Sequence, residues 1–284
     1  MEPQLVMFGY AADNVSAATQ TRFTHFSNML GKRSKHLVEL FCSGSYEELM
    51  TAAASGYVDV AWLAPLPFLD LRRRGAVVPL VHLHRGGSSS YRSVIIVRAD
   101  SRFRSLEDLR GSRAAWGDRF SASGFVVPRA ALARKGLDPR VAFGEHRMCR
   151  SHESVIRSVA MGRVDFGATY AGVDEKGSIT RGAFLSTPDL RVLAVLDEIP
   201  GDVVVASSRL SPDVRDTMLG ALLDISREKR SRLLGNDAFG VDEFQAFSPQ
   251  GYDEFEKLAA RAAAAGLLEV HANAAHTGKF VPSS

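Results

Sequence analysis

Cysteine is nearly absent: Cys42 and Cys149 are the only two in 284 residues. Two thiols do not make a disulfide framework, so the fold rests on a buried core and no redox compartment follows. No apolar run approaches the roughly 18 residues that a membrane span requires, so direct membrane insertion is not expected. The chain also lacks a Walker loop, a G-x-G-x-x-G fingerprint, a G-x-S-x-G elbow and an H-E-x-x-H helix. Cofactor enzymes therefore lose support, and no cofactor, metal ligand or catalytic residue is assigned. The formal charge of +3 is too mild for a nucleic-acid partner, although it would not repel an anionic ligand. The start, Met1-Glu2-Pro3-Gln4, runs directly into the strand-like Leu5–Phe8 without the basic and apolar regions of a signal peptide. The expected location is periplasmic if an export signal has been removed, and cytoplasmic if Met1 is the native start.

What is present is an α/β alternation. With 45% hydrophobic and 24% charged residues, the chain suits one large or two medium domains. Strand patterns at Leu5–Phe8, His36–Phe41 and Val58–Leu63 interleave with helical patterns at Thr19–Leu30 and from Tyr46, which argues for largely parallel sheets. The alternation restarts at Val94–Val97, with a capped helix at Ser105–Leu109, a strand at Ala114–Trp116 and a helix over Phe125–Lys135 that Pro128 should break or kink. After Pro200-Gly201-Asp202, a strand at Val203–Val205 leads into helices near Pro212–Ile225 and Tyr252–Ala265. The expected division is residues 1–96 with 203–284 in one lobe and 97–202 in the other, with a ligand cleft between.

One internal repeat is informative. Ser45-Tyr46-Glu47 through Gly56-Tyr57-Val58-Asp59 aligns without a gap on Ser151-His152-Glu153 through Gly162-Arg163-Val164-Asp165. Each copy reads as a Ser N-cap, a helix, a left-handed Gly and a strand opening Val-Asp. In the first copy Glu48 is placed to complete a capping box with Ser45. Tyr46 and His152 occupy first helical turns, where free N–H groups and the helix dipole favour an anion. Ser121-Ala122-Ser123-Gly124 is a third helix start, whose hydroxyls and N–H groups suit an oxyanion that only accepts. Tyr91, at the edge of the Val94–Val97 strand, has a phenol to offer the same cleft. The run Arg72-Arg73-Arg74 ends a helix and reads as a solvated face, while Trp62 and Trp116 read as core.

Taken in order, S-Y-E-E-L, G-x-V-D-V-A-W-L-A-P, S-Y-R-S-V-I-I-V, L-E-D-L-R-G, S-A-S-G-F-V-V-P, S-H-E-S-V and I-P-G-D-V-V-V resemble the phosphonate-binding subunits of ABC transporters. The resemblance spans roughly Leu40 to Val205. It implies a type II periplasmic-binding fold, two α/β lobes joined by a hinge, with transporter membrane subunits as partners. Tyr46 and Tyr91 match the family's phenol donors, Ser121 and Ser123 its Ser-x-Ser clamp, and His152 its histidine ligand. Asp202 matches an acidic residue near the ligand's organic end. Ala122 stands where the family usually has Thr, leaving only an N–H. Where aminoalkylphosphonate binders carry an amine-pairing Glu, the sequence runs Thr169-Tyr170-Ala171, so Tyr170 is expected to fill that space and favour a smaller or less cationic ligand.

The leading expectation is a solute-binding protein for a phosphorus oxyanion such as phosphonate, phosphite or phosphate. The alternatives are a cytoplasmic sensor using the same cleft, a ferric-iron binder built on the tyrosines, and a hydrolase in which Ser121, His152 and Asp202 imitate a triad. The oxyanion expectation predicts no visible tyrosinate-to-iron band when ferric salt is added to the protein. Appearance of that band in an absorption titration would favour the iron binder.

Overall fold

The computed structural model describes residues 2–12, 17–227 and 241–268. In chain order the elements are β1 (Leu5–Ala11), α1 (Ala17–Ser34), β2 (Leu37–Ser43), α2 (Tyr46–Ser55), β3 (Val60–Leu63), α3 (Pro65–Arg73) and β4 (Val77–His84). Then follow β5 (Ser90–Arg98), β6 (Arg113–Trp116), α4 (Val127–Arg134), β7 (Glu145–Met148), α5 (His152–Ala160), β8 (Phe166–Val173), β9 (Ile179–Arg181) and β10 (Leu190–Pro200). The chain closes with β11 (Val203–Ser207), α6 (Pro212–Arg227), β12 (Glu243–Ala246) and α7 (Tyr252–Ala264).

These strands form two sheets. The first runs β12-β4-β11-β3-β1-β2, and the second runs β10-β5-β8-β6-β7 with β9 paired to β8. Each sheet holds one parallel trio, β3-β1-β2 and β8-β6-β7, so the sequence repeat folds twice into the same topology. The Asp of each Val-Asp pair does the same work in both copies. Asp59 accepts from the Met7 N–H at 2.8 Å and Asp165 from the Arg113 N–H at 2.7 Å, each tying its strand to the start of the neighbouring parallel strand.

The repeated helices are seated by glycine. A Cβ on Gly9 of β1 would lie 2.7 Å from Leu49, and one on Gly167 of β8 would lie 2.5 Å from Val155. Leu49 and Val155 are equivalent positions of the repeat, three residues after Tyr46 and His152. The bare backbone at these two glycines therefore sets how closely α2 and α5 approach their sheets, and with them the side chains at their starts.

The chain passes between the sheets twice, at Arg85–Ser89 and at Gly201–Asp202. The two crossings are bonded together, Gly201 N–H to Ser89 carbonyl at 2.7 Å and Leu83 N–H to Asp202 carbonyl at 3.1 Å. The buried Tyr252 hydroxyl donates to the Gly201 carbonyl at 2.7 Å. From there α7 packs against α3 beside the first sheet and against α4 and β10 of the second. The main apolar cluster accordingly continues from Leu49, Phe68 and Leu71 through Tyr252 and Phe255 to Val127, Trp116 and Phe166.

Several expectations change. The expected division put residues through 96 in the first lobe, but β5 pairs over its length with β10 and β8, so the crossing precedes Ser90. Residues 228–240 and 269–284 of the expected first lobe lie outside the described residues. The helix at Ser105–Leu109 shrinks to one 3₁₀ turn at Glu107–Leu109, because the Asp108 carboxylate accepts from the Arg104 and Ser105 N–H groups and closes a tight turn. Pro128 breaks nothing, since it sits in the first turn of α4 where no intrahelical N–H is needed. Arg72 is not solvated: its guanidinium lies 5.9 Å from the Phe68 ring centre and 6.0 Å from that of Phe247. Trp116 is fully buried as expected.

Gly167→Ala forces α5 away from β8, and overpacking of this kind costs about 1–3 kcal/mol. The expected result is a lower urea midpoint with an unchanged slope; an unchanged midpoint would contradict this packing.

Candidate ligand-binding site

Between the sheets lies a cavity of about 610 Å³ lined from the first by Ala11, Ser45 and Tyr46 and from the second by Ser121, Ser151, His152 and Tyr170. A larger hollow of about 1070 Å³ opens behind the crossings against α7, away from these groups. The chemistry gathers in the smaller one.

Three helix starts build it. At α2 the Ser45 hydroxyl accepts from the Glu48 N–H at 3.1 Å and its carbonyl accepts from Leu49. At α5 Ser151 does the same for Ser154 and Val155. At the third start Ser121 Oγ accepts from Gly124 N–H at 3.0 Å, while its carbonyl accepts from both Phe125 and Val126, making Ala122–Val126 a π turn that leads into α4. Each cap is thus spent on the third and later N–H groups. The first two at each start, on Tyr46 and Glu47, Ala122 and Ser123, and His152 and Glu153, find no protein acceptor among the described residues. Ala122 and Ser123 are each only 2% exposed. A buried N–H without an acceptor is costly and rare, which points to a ligand that supplies one. Glu48 departs from the expected capping box by one residue, bonding the Gly44 N–H rather than that of Ser45.

The side chains around these N–H groups are held neutral. Burial pushes the His152 imidazole down to about 4, against a weaker upward pull from Asp202. Its Nδ1 lies 3.0 Å from the Thr169 hydroxyl and its ring meets Tyr170 edge-on at 5.0 Å between centres. Burial, then Asp202 and Asp118, raise the Tyr46 phenol above its ordinary value. Burial, then Asp202 and Tyr46, raise that of Tyr91, with Arg85 and the adjacent Ser123 hydroxyl opposing. Both phenols therefore remain donors at neutral pH.

The structure brings Tyr46, Ser121, His152 and Tyr170 to the cavity wall, with Ala122, Ser123 and Tyr91 one layer deeper. Ser121 and Ser123 are buried rather than standing at an open helix entrance, because the π turn folds inward and the Ser93 hydroxyl grips the Ser123 carbonyl at 2.8 Å. Asp202 is not on the wall. Its Oδ2 accepts from Trp62 Nε1 at 3.0 Å and from Arg85 at 2.8 Å, which makes it part of the crossing between sheets. A Ser–His–Asp triad is not formed, since Ser121 bonds Gly124 and His152 bonds Thr169. Sequence reasoning missed Arg85, Thr169 and Arg181. Arg85 was findable as the one cation in the turn before the Ser-rich crossing; nothing local marks the other two. At the rim, Arg119 reaches across to Glu47 at 2.9 Å, an exposed bridge of little energetic weight.

The model for a family described as "ABC transporter, phosphonate, periplasmic substrate-binding protein" matches residues 8–252. The chain is similar to the phosphate-import protein PhnD of Mycolicibacterium smegmatis, 26% identical over 226 residues that make up 76% of this chain and 70% of that one. Among solved structures, a binding protein component of an ABC phosphonate transporter from Pseudomonas aeruginosa superposes with a TM-score of 0.77, at 22% identity, over 96% of this chain and 91% of that one. PhnD1 of Prochlorococcus marinus in complex with methylphosphonate gives 0.76, at 19% identity, over 92% and 99%. These superpositions establish the two-lobed type II periplasmic-binding fold. No helix among the described residues is long and apolar enough to cross a membrane.

His152 is held neutral in the folded chain and titrates near its ordinary 6.5 when unfolded, so the unfolded chain takes up the proton first. Folding stability is therefore fully present above pH 6.5 and declines as the pH falls toward 4. Thermal denaturation between pH 7 and pH 4.5 should show a shallower decline for His152→Gln than for the native chain; equal declines would contradict a buried neutral His152.

Proposed function

Because the chain belongs to the family of periplasmic substrate-binding proteins of phosphonate ABC transporters, we propose that its cleft captures a small phosphorus oxyanion, whether phosphonate, phosphite or phosphate. The unpaired, buried N–H groups of Ala122 and Ser123 carry this reading. An oxyanion accepts on every oxygen and donates little, which suits a wall made of N–H groups, phenols, serine hydroxyls and a neutral imidazole.

In the mechanism, the ligand first meets the donors of one lobe, and rotation about the two crossings brings up those of the other. Tyr46 with its helix start belongs to the first lobe; Tyr91, Ser121, Ala122, Ser123, His152 and Tyr170 belong to the second. Neither half completes the donor shell alone, so the ligand binds the closed form better and shifts the population toward it. The closed form is the one presented to the membrane subunits of a transporter in the periplasm. No bond is made or broken in the ligand.

Hydrogen bonds to an ionised group contribute roughly 1.5–3 kcal/mol each. Four or five together amount to roughly 6–15 kcal/mol, a range that contains the about 8 kcal/mol of micromolar binding, without a surface patch of positive charge. The ferric alternative fits the geometry poorly, because the Asp202 carboxylate that it needs as a ligand is engaged by Arg85 and Trp62.

Ser123→Ala and His152→Ala should each weaken methylphosphonate and phosphate binding about 10- to 100-fold. Isothermal titration calorimetry on the full chain checks this, and unchanged affinity in both variants would contradict the assigned site.

A further inference from the structure

Arg181 is a cation beside Tyr170 of the cleft that donates no hydrogen bond among the described residues. It lies on β9 directly opposite Gly172 of β8, and therefore on the same strand face as Tyr170, two residues earlier, which lines the cavity. The guanidinium folds back across Gly172. A Cβ at that position would stand 3.0 Å from its Nε and 3.3 Å from its Nη2, so the space that Arg181 occupies exists because residue 172 has no side chain. The side chain is partly buried, yet it donates no hydrogen bond to any described residue. Burial and the neighbouring Arg85 pull its pKa down, while Tyr170, Asp202 and Asp242 pull it up.

The carboxylates within reach are already engaged. Asp202 Oδ2 is bonded by Arg85 and Trp62, and Asp242 Oδ2 accepts the Gly87 N–H at 3.0 Å. Tyr170 in turn meets the His152 and Tyr91 rings of the clamp edge-on, at 5.0 and 6.4 Å between centres. Beside the cavity, behind Tyr170, there is thus one carboxylate bonded by Arg85 and Trp62 and one guanidinium that bonds no described residue, an arrangement that disfavours an amine and favours an anion.

We propose that Arg181 forms a second anion subsite, so that the preferred ligand is a short-chain phosphonate whose carbon substituent carries a carboxylate. This inference rests on the reading of the cleft as a phosphorus-oxyanion site. The guanidinium pairs with the carboxylate while the phosphonate group occupies the N–H groups of the three helix starts, and Gly172 leaves the room in which the guanidinium lies beside Tyr170.

Calorimetric titration of the full chain with phosphonoacetate, ethylphosphonate and 2-aminoethylphosphonate tests it. The native chain should bind phosphonoacetate at least about tenfold tighter than ethylphosphonate, with 2-aminoethylphosphonate weakest. In Arg181→Gln the ratio between the first two should fall to within about twofold, whereas Ser123→Ala should weaken both and preserve the ratio. A residue with only a structural role would lower both affinities alike. A native ratio near unity, or a preference that survives Arg181→Gln, overturns the subsite while leaving the oxyanion cleft in place. Failure of all three compounds to bind overturns both.

Discussion

An α-helix cannot satisfy the N–H groups of its own first turn, and in this protein three such turns meet at one cleft, the one after Ser121 buried and those of α2 and α5 partly exposed. Serine caps at positions 45, 121 and 151 take care of the later N–H groups and leave the first ones, at or just behind the wall of one cavity, without an acceptor among the described residues. The rest of the architecture follows from holding these ends together. Gly9 and Gly167 fix the depth at which α2 and α5 lie on their sheets, Asp59 and Asp165 lock the strands beneath them, and the inward π turn at Ala122–Val126 buries the third start. On the proposed reading, anion recognition rests on dipoles and neutral donors, with net charge playing a minor part at the clamp itself.

The repeat was the most legible feature of the sequence, because its spacing encodes local events: a cap, a helix of fixed length, a left-handed glycine and a strand. Those events recur in the structure, and the two copies occupy equivalent places in β3-β1-β2 and β8-β6-β7. The helix patterns at Thr19–Leu30, Pro212–Ile225 and Tyr252–Ala265 were legible for the same reason, each carrying a continuous apolar face. Features set by tertiary contacts were not. Whether β5 belongs to one sheet or the other is decided by its partners β8 and β10, far away in sequence, and the role of Asp202 by Arg85 and Trp62, which approach it only once both crossings are made. The π turn was equally hidden, since Ser-Ala-Ser-Gly opens an ordinary helix just as well and only its closure against Gly117 and Ser93 selects the wider turn. Arg181 carries no local signal at all: its position depends on a missing side chain on the opposing strand.

The two crossings connect recognition to motion. They are short, bonded to one another, and tied by the Tyr252 hydroxyl to a helix that touches both lobes, so the proposed rotation would turn on these hydrogen bonds and on the packing of α7. Arg85 and Asp202 sit on these crossings, so under the proposed mechanism the ion pair would lie on the element about which the lobes turn.

The central claim is that unpaired N–H groups at three helix starts grip the phosphorus oxyanion. The most direct measurement is a ¹⁵N–¹H NMR titration of the full chain with methylphosphonate, observing couplings between ³¹P and amide nitrogens transmitted through hydrogen bonds. The account predicts downfield proton shifts and such couplings at Ala122, Ser123 and His152, with Tyr46 joining them as the lobes close. Saturable binding without shifts or couplings at Ala122 and Ser123 would contradict it.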